Sequence, residues 1–266
     1  MANEAETGPV DAGAGPEHSR GQVTRPTGEA IERLQARLQE EASEKTKLWW
    51  ERYMKGAASF RGVPMAAIRS TLRSWYTEES LDDLPASSRR QVALELLAES
   101  YSEDKLAGVL LLREHILAEL GAADLPSFAA TFSAGHIGDW GICDWFSVKV
   151  LSALVERDGR PMAEAIATWT TSEALWQRRA AAVALAPLAP RGDEHFDGFG
   201  ALSIEVARAN VRYGARFMQT SVGWLLRELS KSNPSIVLGF VREHDSLLSR
   251  EARRMALTKI EGRGRR

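Results

Sequence analysis

The sequence predicts an all-α protein built as an α-solenoid, and three observations carry that expectation. No segment shows a convincing two-residue alternation of apolar and polar side chains, the signature of a strand. From Glu29 onward, apolar residues instead recur at helical spacing in block after block. The blocks also pair: a helix of about 12 to 16 residues, a short polar or Pro/Gly turn, then a second helix. Hairpins with one apolar and one polar face need neighbours to cover them, which favours stacking in a row. A compact helical bundle is the other architecture compatible with the pattern.

Met1 to about Gly28 is rich in Gly, Pro, Ala and acidic residues with almost no large apolar side chain, so residues 1–28 are expected to form a disordered tail. The folded domain is expected over 29–262. It opens with EAIERLQARLQEEAS, where Ile31, Leu34 and Leu38 share one stripe. KTKLWWERYMKG follows, with Leu48, Trp49, Tyr53 and Met54 suiting a helix that ends near Gly56; the Gly62-Val63-Pro64 turn starts another. RRQVALELLAESY, DKLAGVLLLREHILAEL, FSVKVLSALVERDG, PMAEAIATWTTS and ALWQRRAAAVALAPLA each read as helices. So do IEVARANVRYGARFMQTSVGWLLRELSKS, in pieces, and PSIVLGFVREHDSLLSREARRMALTKI. The unit length, roughly 35 to 45 residues, falls in the range of HEAT and armadillo helix pairs. PRGDEHFDGFG, from Pro190 to Gly200, breaks the rhythm and reads as an inserted loop.

The bulk properties narrow the class. With 266 residues, 44% of them hydrophobic, there is ample material for a core, and no apolar run approaches the ~20 residues of a membrane span. The first residues, MANEAETGPV, read as neither a basic nor an apolar leader, and one cysteine leaves no internal disulfide. A bacterial cytoplasm is the expected compartment. The formal net charge is −2, yet residues 1–140 carry 15 Lys and Arg against 22 Asp and Glu, whereas residues 141–266 carry 19 against 14. A basic face on a slightly acidic protein is enough to hold a polyanion, because affinity follows the local patch.

No metal pattern survives inspection: the five histidines, His18, His115, His136, His195 and His244, are scattered. Phosphate-loop, dinucleotide and nucleophile-elbow signatures are absent from the sequence. Cys143 lacks a paired base and reads as a small buried side chain. The unusual stretch is HIGDWGICDWF, His136 to Phe146, in which Trp140 and Asp144 stand four apart and would share a helix face. Taken alone, that pair suits a core tryptophan beside a surface acid. Later blocks add Trp176, Arg178 and Arg179 in LWQRRAAAV, then Trp224 and Arg227 in VGWLLRE; Arg52, Tyr53 and Lys55 lie upstream in RYMKG. In a solenoid, equivalent positions of neighbouring repeats line one surface, and these residues would then form a wall able to stack on bases or sugars and grip phosphates.

ERYMKGAASFRGVP, HIGDWGICD, TSEALWQRRAAAVAL, VGWLLRELSKSNPSIVLGFVREH and LLSREARRMALTKI occur in the order found in the AlkD-like DNA alkylation repair family, which the chain resembles from about Trp49 to Ile260. The resemblance implies a right-handed superhelix of HEAT-like repeats with a cationic concave groove for double-stranded DNA. It implies a glycosylase that cuts the N-glycosidic bond of N3- and N7-alkylated purines without extruding the lesion, using no cofactor and no metal. By motif position it makes Asp144 the catalytic carboxylate, with Trp140, Arg179 and Trp224 completing the catalytic set. Tyr53, Lys55, Arg178 and Arg227 fall where the DNA would be contacted. The expected form is a monomer, nucleoid-associated when on DNA and not membrane-bound. Gly141 stands where the family commonly has an acidic residue, and Trp145 adds bulk after Asp144. Pro187 and Pro190 interrupt the basic helix. Those departures are compatible with a branch of the family that removes bulky adducts of DNA-alkylating natural products, a self-resistance role.

Overall fold

The fold was obtained as a computed structural model that describes residues 27–261. The described residues are helical throughout and contain no strand, apart from one isolated bridge between Ser59 and Tyr101. The expected tail therefore lies, over residues 1–26, outside the described residues, while Thr27 and Gly28 already belong to the first helix.

In chain order the helices are α1 (Thr27–Glu40), α2 (Glu44–Met54), α3 (Met65–Glu78), α4 (Ala86–Ala98), α5 (Ser102–Glu114), α6 (Leu125–Ser133) and α7 (Trp140–Phe146). A single turn of π-helix, Ser147–Leu151, joins α7 to α8 (Ser152–Asp158) without a break. Then come α9 (Arg160–Ala167), α10 (Leu175–Leu185), α11 (Phe199–Val211), α12 (Arg216–Leu229), α13 (Pro234–Glu243) and α14 (Arg250–Glu261).

Packing orders them into two rows. In one row α1 meets α3, α3 meets α5, α5 meets α7, α7 meets α10, α10 meets α12 and α12 meets α14. The other row contains α4, α6, α9, α11 and α13, each covering the first row from behind or touching its own neighbour. Apart from α2, of which only Met54 is buried, the helices bury apolar faces against their neighbours, which is how a solenoid supplies the neighbours its repeats lack alone. The all-α, HEAT-like solenoid is thus the observed architecture.

Three junctions show why the chain turns where it does. Gly62, at φ +99°, lets the chain reverse between α2 and α3. The Glu103 carboxylate fixes that reversal by accepting the backbone N–H groups of Arg61, Gly62 and Val63 at 2.9, 2.8 and 3.1 Å. Deep in the first repeats, the Trp75 indole N–H donates to the Ala30 carbonyl at 2.7 Å and pins α3 to α1. At the other end, α12 and α14 approach so closely that a side chain on Gly223 would meet the Ala252 backbone at 2.9 Å.

Several sequence-based boundaries shift. The α-helix in DKLAGVLLLREHILAEL ends at Glu114, a 3-10 turn takes Leu117–Glu119, and α6, which the sequence pattern did not reveal, takes Leu125–Ser133. PSIVLGFVREHDSLLSREARRMALTKI breaks into two helices because His244 and the following turn close α13. The segment expected as an inserted loop, Pro190 to Gly200, is for its first part a 3-10 turn, Ala189–Glu194, and its end already starts α11. The rings of His195, Phe196 and Phe199 pack on one another there, and Phe199 is fully buried, so apolar contacts hold this connection against the core.

Candidate active site

The helix that carries Trp140 and Asp144 is short, and its start is fixed by a cap. Asp139 is the N-cap of α7: its side chain accepts the Ile142 N–H at 3.0 Å, and its carbonyl accepts the Cys143 N–H at 3.1 Å. Burial pushes the Asp139 carboxyl above the ordinary range, with the amides of Ile142 and Gly141 pulling the other way. From that start, Ile142, Cys143 and Phe146 enter the core while Trp140 and Asp144 emerge together on the opposite side. Cys143 donates to the Trp176 carbonyl at 3.3 Å, and burial drives its thiol pKa far upward, so at neutral pH it is a packed, protonated side chain.

Asp144 is met by Arg179 from α10. The guanidinium donates through Nε to Oδ1 at 2.7 Å and through Nη2 to Oδ2 at 2.8 Å, a two-pronged pair. The third nitrogen, Nη1, donates to the Phe217 carbonyl at 2.6 Å and the Thr220 hydroxyl at 3.1 Å, both on α12. Three successive helices of one row are thereby clamped together. The Arg179 side chain is 6% exposed and that of Asp144 is 18% exposed. The arginine is spent on positioning, whereas part of the carboxylate still faces the outside.

That open side is a cleft of about 520 Å³. Tyr53 and Lys55, at the end of α2, form one bank with Trp140; Arg216, Phe217 and Thr220 form the other, with Glu251 and Met255 of α14 beyond. The Tyr53 and Trp140 rings meet edge to face at 5.4 Å, and Trp49 stacks on Tyr53 at 5.3 Å, nearly parallel. Tyr53 and Trp49 are both more than half exposed. Lys55 is exposed, in a left-handed C-cap position, and pairs with no carboxylate among the described residues. Arg216 is paired with Glu251 at 2.8 Å on the rim.

Of the residues singled out in the sequence, Tyr53, Lys55, Trp140, Asp144 and Arg179 come together here. Trp224 does not line the cleft; it lies one turn beyond Thr220 on α12, half-buried against the core. Arg178 points elsewhere, its guanidinium 4.0 Å above the Tyr213 ring, and Arg227 pairs with Glu228 at 2.7 Å. Phe217 and Thr220, which hold Arg179, are among the cleft residues that sequence reasoning missed. Their spacing from Trp224 on one helix was the available signal.

Among the described residues, no group of three or more His, Cys, Asp or Glu side chains could hold a metal ion, and no helix is long and apolar enough to cross a membrane. No curated protein matches the chain. A solved structure described as a predicted DNA alkylation repair enzyme from Enterococcus faecalis superposes with a TM-score of 0.69 at 20% identity, covering 82% of this chain and 95% of its own, and so shares the fold. The family described as DNA alkylation repair enzyme matches residues 34–260, which includes every residue of the cleft. The chain belongs to that family, and its role lies in the repair of alkylated DNA.

Proposed function

We propose that the protein is a DNA glycosylase that hydrolyses the N-glycosidic bond of N3- and N7-alkylated purines in duplex DNA. The observation that carries this reading is the partly open Asp144 carboxylate, locked by both guanidinium prongs of Arg179 beside the Trp140 and Tyr53 rings. An alkylated purine is already cationic and leaves as a neutral base, taking the electron pair of the C1′–N bond. The positive charge is then left on the deoxyribose as an oxocarbenium ion. Asp144 stabilises that cation and orients the water that adds to C1′, which gives up its proton to the carboxylate or to solvent. Trp140 and Tyr53 add cation–π attraction and keep bulk water away. Arg179 acts through Asp144 as a positioning residue. Because the leaving group needs no protonation, the base can depart without extrusion into a pocket, in line with the family resemblance.

Lys55 and the exposed cations of α2 are assigned to the phosphate backbone, and the partner is double-stranded DNA carrying the lesion. Removal of bulky natural-product adducts, with a self-resistance role, is the more specialised form of the same reading.

The test is single-turnover release of N7-methylguanine from duplex DNA. Asp144→Asn is expected to slow release by about a hundredfold to a thousandfold, the usual loss when a transition-state charge partner is removed, with DNA affinity largely retained. Wild-type protein that binds DNA and releases no alkylated base would instead identify a non-catalytic DNA-binding scaffold.

A further inference from the structure

A second cavity, of about 320 Å³ and without Arg179 in its lining, lies between α2, α3, α5 and α7. It shares Tyr53, Met54, Trp140 and Asp144 with the cleft, so Asp144 stands at the junction of the two. Its walls are aromatic. Trp50 and Phe60 stack at 5.6 Å on one side, and Trp140 and Trp145 form the other.

The polar groups in the lining are mostly engaged. Glu103 is taken up by three backbone amides, Asp139 by the α7 cap and Asp144 by Arg179. A purine turned into such a space would find few partners for its hydrogen-bonding edge, by which extruded bases are read. An apolar ring suits it better: a dry apolar cavity of ~150 Å³ is enough to take up benzene. Gly141 and Trp145, which directly follow Trp140 and Asp144, both line this space. A side chain at position 141 would meet Met54 Cε at 3.2 Å and Asp139 Oδ1 at 3.0 Å, so glycine keeps this wall low.

We infer that this cavity is a subsite for a flat, apolar substituent carried by the alkylated purine, seated beside Trp145 while the glycosidic carbon faces Asp144. The inference rests on the glycosylase reading above for its substrate, and its test separates the two. Duplexes carrying N7-methylguanine or N7-benzylguanine, and N3-methyladenine or N3-benzyladenine, are compared for binding by anisotropy and for base release. The filling variants are Met65→Trp, at the rim on the first turn of α3, and Leu106→Phe, from α5. Met65→Ala widens the space.

Purine N7 faces the major groove and N3 the minor groove, so the wild type is expected to prefer the benzyl lesion in one of the two series. Either filling variant should lower the benzyl-to-methyl ratio by about tenfold or more in binding and in release, the scale on which apolar pockets discriminate size. Met65→Ala should not lower it. Equal ratios in all four proteins would overturn the subsite. So would 2-aminopurine at the lesion position brightening on binding, with that brightening lost in Met65→Trp, since the base itself would then occupy the cavity. If no base is released from any duplex, the glycosylase reading fails, and the benzyl preference in binding still decides the subsite.

Discussion

Arg179 shows how much one side chain can organise. Its three nitrogens are divided between Asp144 on α7 and the α12 backbone and hydroxyl, so replacing it affects both reactivity and repeat packing. Arg179→Lys keeps the charge and loses the fork. It is expected to cut base release by about tenfold or more while DNA affinity changes little, and a kcat-against-affinity comparison checks this. Cys143 gives a second outcome: a fully buried, protonated thiol should resist maleimide in native protein and react fully once urea unfolds it. The Trp140–Asp144 pair was legible because spacing of four is local. Arg178 and Arg179 are indistinguishable by composition; about 100° of helix rotation separates them, and only family resemblance picked the second. Trp224 sits half-buried against the core and outside the cleft lining, because an indole on an apolar stripe satisfies core and groove patterns alike.

Among the elements, α12 and α14 approach closely, and Gly223 permits it. Gly223→Ala places a methyl against the Ala252 backbone, and a loss of about 1 to 3 kcal/mol is expected, measured by thermal or urea unfolding. At the opposite end α1 is tied to α3 by ion pairs, Arg33 with Glu79 at 2.6 Å and Arg37 with Glu78 at 2.5 Å. Hydrogen bonds from these arginines hold both glutamates below the ordinary value of 4.5. Their contribution is therefore complete above that value and is lost as pH falls through the lower folded one. Amide protection in α1, measured relative to the intrinsic exchange rate at each pH, should fall on acidification below about pH 4.5 and on adding salt at neutral pH, with that of α10 unaffected. Helix identity was largely legible from periodicity. The end of α5, the existence of α6 and the packed 189–199 connection were not, because tertiary burial, not local pattern, decides them.

On the scale of the whole molecule, a protein of net charge −2 must hold DNA with a local patch. Much of its arginine is committed to neighbouring carboxylates, as in the pairs made by Arg61, Arg89 and Arg216. The cations of α2 are different: Lys45, Arg52 and Lys55 pair with no carboxylate among the described residues, beside the exposed Trp49–Tyr53 stack. The salt dependence of DNA binding should register this. Lys55→Ala is expected to reduce the slope of log K against log salt by about 1, and Arg178→Ala, whose guanidinium lies over Tyr213, to leave it unchanged. The solenoid was readable from repeat rhythm, but which face carries free charge required the pairing of each side chain.

The π turn at Ser147–Leu151 has a genetic corollary. It houses one residue more than the α turn it replaces, and helix periodicity makes each residue worth about 100° of rotation. Downstream, Leu154 and Val155 anchor α8 in the core. An in-frame loss of a single codon here would let the helix run on regularly and would swing Trp140 and Asp144 away from Arg179. Such an allele should be expressed and helical yet lack the Asp144–Arg179 pair, so the length of this one turn sets the aim of the face that carries Trp140 and Asp144.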